Sequence, residues 1–200
     1  MSDVRLTLVS ASPRRAELLR KLALPYDVRP SAAAEYWTAE SPAQLAMDNA
    51  RHKVERSPLY GDRSRVLIGA DTIIACDNRL FGKPAGRESA MRILQFLSGR
   101  KHEVITGVCV SGPNAEAALP FINVSDAAVS SVHFHELSAA QLREYVESGE
   151  WEGTAGAYAI QGLAAGFVSE LIGDYQNVVG LPVELIHGLL REKFIHCRFL

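Results

Sequence analysis

A strand that hands over to a helix within three residues is the strongest constraint this chain carries. "RLTLVS" (Arg5–Ser10) has the short apolar run of a buried strand. "SASPRRAELL" (Ser10–Leu19) follows at once, with Ser12 placed as an N-cap and Pro13 at the first helical position. The Ser-Pro opening returns in "SPAQLAMDNARHKVER" (Ser41–Arg56), a second helix after "YDVRPSAAAEYW" (Tyr26–Trp37), an extended piece running into a loop. "RVLIGADTIIAC" (Arg65–Cys76) reads as a buried strand pair or one bent strand, its β-branched run interrupted at Gly69-Ala70-Asp71. The turn-rich "DNRLFGKP" leads to a third helix in "GRESAMRILQFLSG", closed at Gly99. From "KHEVITGVCV" strands take over. "SGPNAEAALP" reads as the tip of a long hairpin that returns along "AAVSSVHFHEL". A helix in "SAAQLREYVESG", capped by Ser138 and stopped by Gly149, precedes the small-residue tract "GTAGAYAIQGLAAGF". "DYQNVVGLPVELIHGLL" closes the pattern as a loop into a final helix. Helices alternate with strands early and strands cluster later, which predicts an α/β fold on a mixed sheet. No repeat and no separating linker interrupts it, so residues 1–200 are expected to form a single domain.

The first helix poses an electrostatic problem. Helix starts carry partial positive charge and favour acids, yet Arg14 and Arg15 occupy the first turn. At about 100° per residue, Leu18, Leu19 and Leu22 define the inner face, with Arg15 inside that arc and Arg14 at its edge. Either the first turn overhangs the core and both cations reach water, or they join Ser10, Ser12 and the open backbone N–H groups in an anion site. On the second helix Leu45, Ala46, Met47, Ala50 and Val54 form the apolar arc, and Lys53 falls near its middle. That ammonium either snorkels outward or points at something buried and anionic. Asp71-Thr72 would sit at a strand end, where ligand sites of open α/β sheets collect, or cap a turn there. Such an aspartate can hold Mg²⁺ or take a proton from water. Lys83 lies in the rigid turn "FGKP", and Gln161 is the one amide in the glycine-alanine tract, able to read a base edge. Two arginines, two lysines and a carboxylate together suit a polyphosphate with a metal.

Bulk charge narrows the partners. A net charge of -2 gives no global basic field for nucleic acid or anionic lipid, so an anion site must be local. Cys76, Cys109 and Cys197 are odd in number and lack a C-x-x-C pair, which fits a reducing compartment. "MSDVRLTLVSASPRR" lacks a signal-peptide core and no apolar run approaches a membrane span, so a cytoplasmic protein is expected. Arg92 falls on a polar helix face, and His133 with His135 has no third ligand nearby; both read as surface features. No Walker A, G-x-G-x-x-G or G-x-S-x-G motif is present.

Six ordered motifs, "SASPRRAELL", "NARHKV", "IGADTIIACDNRLFGKP", "LSGRKHEVITGV", "AGAYAIQG" and "NVVGLPVELI", resemble the Maf family of nucleoside triphosphate pyrophosphatases from about residue 6 to residue 190. The resemblance implies a Maf/inosine-triphosphatase-like mixed twisted sheet with flanking helices and two lobes around a cleft. It also implies dependence on Mg²⁺ or Mn²⁺, a homodimer, and hydrolysis of a nucleoside triphosphate to monophosphate and pyrophosphate. Arg14, Thr72 and Gln161 together resemble the branch acting on dTTP and UTP, with modified pyrimidine nucleotides as further candidates. By the same likeness Asp71 is the proton acceptor, Glu35 and Asp71 hold the metal, and Ser10, Ser12, Arg14, Arg15, Lys53, Thr72, Lys83 and Gln161 contact substrate. Two positions depart from the family pattern: Thr154 stands where Lys is usual, and Ala34-Glu35 where Asp-Glu is usual. Action on deaminated purine triphosphates or 7-methyl-GTP, or a nucleotide-binding regulator of cell division, are the alternatives.

Overall fold

A computed structural model describes residues 2–114 and 121–200. The elements are β1 (Ser2–Leu8), α1 (Pro13–Leu19), β2 (Tyr26–Val28), α2 (Pro42–Glu55), β3 (Arg65–Cys76), β4 (Arg79–Phe81) and α3 (Arg87–Leu97). There follow β5 (Lys101–Pro113), β6 (Phe121–Phe134), α4 (Ala139–Ser148), β7 (Val168–Ile172), α5 (Tyr175–Val179), α6 (Val183–Lys193) and β8 (Cys197–Phe199). The strands bond in the order β2-β1-β3-β5-β6-β7, with β4 on β3 and β8 on β1. Parallel pairs at β1 and antiparallel pairs at β4 and β7 make this the mixed α/β sheet that the alternation of elements predicts. The chain divides into two compact units, the first being Met1–Asp71, Thr106–Ala128 and Gly180–Leu200, the second Thr72–Ile105 and Val129–Val179.

In the first unit β1 is a parallel partner of β2, β3 and β8, with Leu6 opposite Tyr26 on one side and Val66 on the other. Ser12 caps α1 and Ser41 caps α2, each with Pro at the helix start, as the two Ser-Pro pairs predict. A 3-10 turn over Arg20–Leu22 extends α1. The 14-residue α2 buries Leu45, Ala46, Asn49, Ala50 and Val54. Two glycines let that face reach the strands. A Cβ at Gly69 would overlap the Ala50 carbonyl oxygen and come within 2.7 Å of Val54 Cγ2. One at Gly107 would overlap the backbone of Ala46 and Met47. Helix and strand backbones thus meet with no side chain between them, and Val9, Ala50, Val54, Leu67 and Cys109 close the core around the contact.

Of the two readings of "RVLIGADTIIAC", a single strand holds and a strand pair does not. β3 runs unbroken to Cys76, and Gly69 serves to admit α2 rather than to turn the chain. Asp71 is therefore inside a strand, 4% exposed, and not at a strand end.

In the second unit Asp77 and Asn78, both at positive φ (47° and 60°), turn β3 into β4 as a two-residue hairpin loop demands. Ser138 and Gln141 form a reciprocal capping box on α4, and Gly149 ends it in the left-handed region. The core gathers Leu94, Leu97, Phe134, Tyr145, Tyr158 and Phe167. His102 is enclosed there, its Nε2 2.9 Å from the Tyr158 hydroxyl, and burial pushes its pKa down to about 4. The glycine-alanine tract makes two 3-10 turns, Ala155–Ala157 and Leu163–Phe167, and no strand. α5 occupies part of the loop expected before the final helix. Of the connector at 111–120, Ser111–Pro113 extend β5 and residues 115–120 lie outside the described residues; the return strand begins at Phe121, six residues before Ala127. No helix among the described residues is long and apolar enough to cross a membrane.

Candidate active site

Alternate residues of a strand share a face, so Gly69 and Asp71 of β3 point the same way. Gly69 receives α2 at Ala50 and Val54, and Asp71, one step further along the strand, meets Asn49 and Lys53, which lie four apart on the helix. Lys53 Nζ is 2.5 Å from Asp71 Oδ1 and 3.0 Å from Glu35 Oε1. The side chains of Lys53 and Asp71 are 11% and 6% exposed, so the ammonium is aimed inward at carboxylates and does not snorkel. In such a place the attraction is far stronger than at a surface, and each charge depends on the others for compensation.

Glu35 arrives on residues 29–39, which have no regular secondary structure. α2 holds that segment too. Asn49 Oδ1 accepts from the Tyr36 N–H at 2.6 Å, and its Nδ2 donates to the Tyr36 carbonyl at 3.2 Å and to Asp71 Oδ2 at 3.1 Å. His52 Nδ1 lies 3.1 Å from the Tyr36 hydroxyl, with the two rings 4.6 Å apart. Asn49 opens the motif "NARHKV" but is given no role by it; the signal for one is an amide inside the apolar arc of α2.

The two arginines part company. Arg14 is half-buried. Arg15 is 9% exposed, its Nε donating to the Gly180 carbonyl and its Nη1 to the Ala70 carbonyl, each at 2.8 Å. Ser10 Oγ lies 3.5 Å from the same Nη1, and Ser12 Oγ accepts from the Arg15 N–H. Burial pushes the Arg15 guanidinium below its ordinary value, the fields of Asp71 and Glu35 oppose that shift, and Arg14 adds to it. Carboxylates within the chain therefore offset part of the cost of a cation at a helix start. Arg15 also pins the residue just before Asp71. Truncation to alanine leaves the Ala70 and Gly180 carbonyls without this donor, and Arg15→Ala is expected to lose about 2 kcal/mol of stability in urea titration; an unchanged midpoint contradicts the tether.

The remaining expected residues belong to the second unit. Thr72 follows Asp71 on the opposite strand face and is half-buried, while Lys83 is exposed just after β4. Gln161 is exposed on the turn between the two 3-10 segments. Its flanks are fixed: Tyr145 Oη accepts from the Ala159 N–H at 2.9 Å, and Glu150 Oε2 from the Leu163 N–H at 2.8 Å. Thr154 is buried and donates its hydroxyl to the Trp151 carbonyl at 2.6 Å.

The donor set is that of a hard divalent cation. Two carboxylates within 3.0 Å of one ammonium are hard oxygen donors already gathered around a positive charge. No group of three or more His, Cys, Asp or Glu able to hold a metal is found among the described residues. A divalent cation that takes one or two carboxylates together with water and phosphate oxygens fits such a pair.

β3, α2 and the irregular segment at 29–39 thus bring Asp71, Lys53 and Glu35 together on a mixed α/β sheet. The family model described as Maf-like protein matches residues 5–193. The chain belongs to the Maf family. A dTTP/UTP pyrophosphatase of Koribacter versatilis is 40% identical over 188 residues, covering 94% of this chain and 93% of its own. One of Thermococcus onnurineus is 40% identical over 189 residues, covering 94% and 98%. One of Brucella abortus is 38% identical over 195 residues, covering 94% and 91%. A solved HAM1 protein from Coxiella burnetii aligns with a TM-score of 0.48 at 15% identity, over 94% of this chain and 99% of that one.

Proposed function

We propose that this protein hydrolyses dTTP and UTP, and modified pyrimidine nucleotides of the same shape, to the monophosphate and pyrophosphate. The observation that carries the reading is the Lys53 ammonium joined to both Asp71 and Glu35, in a chain whose relatives bearing that name match it over more than nine-tenths of its length. Asp71 accepts a proton from water as the water oxygen bonds to the α-phosphorus. The bond from that phosphorus to the bridging oxygen breaks, and pyrophosphate leaves with the electron pair. Lys53 orients Asp71 for this step through one carboxylate oxygen, and Asn49 restrains the other. Ser10, Ser12, Arg14, Arg15 and Lys83 are assigned to the phosphate oxygens, with Arg15 anchored behind them by its carbonyl bonds. Glu35 and Asp71 would hold the divalent ion, Mg²⁺ or Mn²⁺, which when bound supplies neutralising charge to the phosphates. Phosphoryl chemistry needs position and charge neutralisation more than covalent help, so no side-chain nucleophile is required. We place the reaction in the cytoplasm, where Cys76, Cys109 and Cys197 would stay as free thiols, and in a homodimer as the family resemblance implies.

Pyrophosphate release with Mg²⁺ from dTTP, UTP, CTP, ITP and 7-methyl-GTP tests the reading. dTTP and UTP are expected to turn over fastest; preference for ITP or 7-methyl-GTP would contradict the substrate assignment. Thr72 and Gln161 are assigned to the base. Gln161→Ala is expected to lower the ratio of UTP to ITP kcat/KM by about tenfold, the size of one lost base-edge contact. An unchanged ratio would remove Gln161 from base recognition.

A further inference from the structure

The geometry points to Asn49 as the positioning residue that sets Glu35 against Asp71. This rests on the hydrolytic reading of the same site. Asn49 is 2% exposed and spends both ends of its amide. Its Oδ1 and Nδ2 grip the Tyr36 N–H and carbonyl, a pairing that copies one rung of a sheet ladder onto a segment that has none. The same Nδ2 donates to Asp71 Oδ2, leaving Oδ1 turned toward Lys53. One side chain therefore joins the irregular segment that carries Glu35 to the strand that carries Asp71. Lys53 attracts both carboxylates but is a single charge at the end of a flexible stem, and it fixes neither plane. The planar amide fixes the Tyr36 backbone, next to Glu35, against Asp71, because three directed hydrogen bonds in a buried place leave it one orientation. His52 adds a contact to the Tyr36 side chain, yet only Asn49 reaches both the Tyr36 backbone and Asp71 among the described contacts.

A residue that orients groups holding a metal changes metal affinity and kcat when it is removed, by about 10–100-fold, with smaller effect on nucleotide affinity. Asn49→Ala and Asn49→Ser are compared with wild type in three measurements. Titration with Mn²⁺ alone, followed by electron paramagnetic resonance, should show affinity weakened by about tenfold. Steady-state kinetics with dTTP should show a raised Mg²⁺ requirement and a kcat lowered by at least about tenfold, with KM for the nucleotide within about threefold. Thermal melts establish that the variants are folded at the assay temperature. Mn²⁺ affinity and Mg²⁺ requirement that stay within twofold of wild type overturn the proposal. So does a loss of cooperative folding in both variants, which assigns Asn49 to stability alone. If wild type itself turns over neither dTTP nor UTP, the hydrolytic reading fails, and the Mn²⁺ titration still decides whether Asn49 positions the carboxylates.

Discussion

Asp71→Asn is expected to lower kcat for dTTP by about a thousandfold while leaving KM within about threefold of wild type. Asparagine has the shape of aspartate and fits the same place in β3, so the strand, the α2 contact and the 3.0 Å pair between Lys53 and Glu35 are retained. What is lost is the carboxylate: an amide cannot take a proton from water at neutral pH. General-base groups contribute about 10²–10⁴-fold, which sets the size of the loss. Steady-state kinetics at saturating Mg²⁺ separates this from weakened metal binding. A variant that keeps a tenth of wild-type turnover would strip Asp71 of its role.

Gly107→Ala is expected to cost about 3 kcal/mol, the upper end for overpacking by one methyl. The new Cβ would overlap the backbone of Ala46 and Met47, and neither a strand interior nor a helix interior can give way by rotating a side chain. The only relief is for α2 to lift off β5. At this chain length the cost corresponds to a melting point lower by about 6–12 °C. Since α2 also carries Asn49 and Lys53, catalysis should fall at temperatures where the variant is still folded. Calorimetry and dTTP turnover check both parts, and a melting point within 2 °C of wild type would mean that the helix does not rest on that glycine.

Much of the frame was legible because it is local. Ser-Pro pairs start α1 and α2, Ser138 and Gly149 bound α4, and the turn-rich "DNRLFGKP" does hold a turn, each by chemistry confined to a few residues. Lys53 was legible as an anomaly, a cation in an apolar arc, although periodicity alone cannot say whether such a side chain turns in or out. Asp71 as its partner depends on α2 lying on β3 in one register, which Gly69 and Gly107 permit and no local rule specifies. Gly69 in fact misled, since a glycine in a strand run signals either a bend or a close approach and only the packed helix distinguishes them. Asn49 was hidden for a related reason. Its partners are backbone groups of an irregular segment, whose path carries no periodic trace in the sequence.

The most direct test of the central claim is hydrolysis of UTP by the purified protein and Mg²⁺ in ¹⁸O-labelled water, with both products weighed by mass spectrometry. Attack at the α-phosphorus predicts one ¹⁸O atom in UMP and unlabelled pyrophosphate, with the signal falling about a thousandfold in rate in Asp71→Asn. Label in pyrophosphate, release of UDP with orthophosphate, or no turnover at all would contradict it.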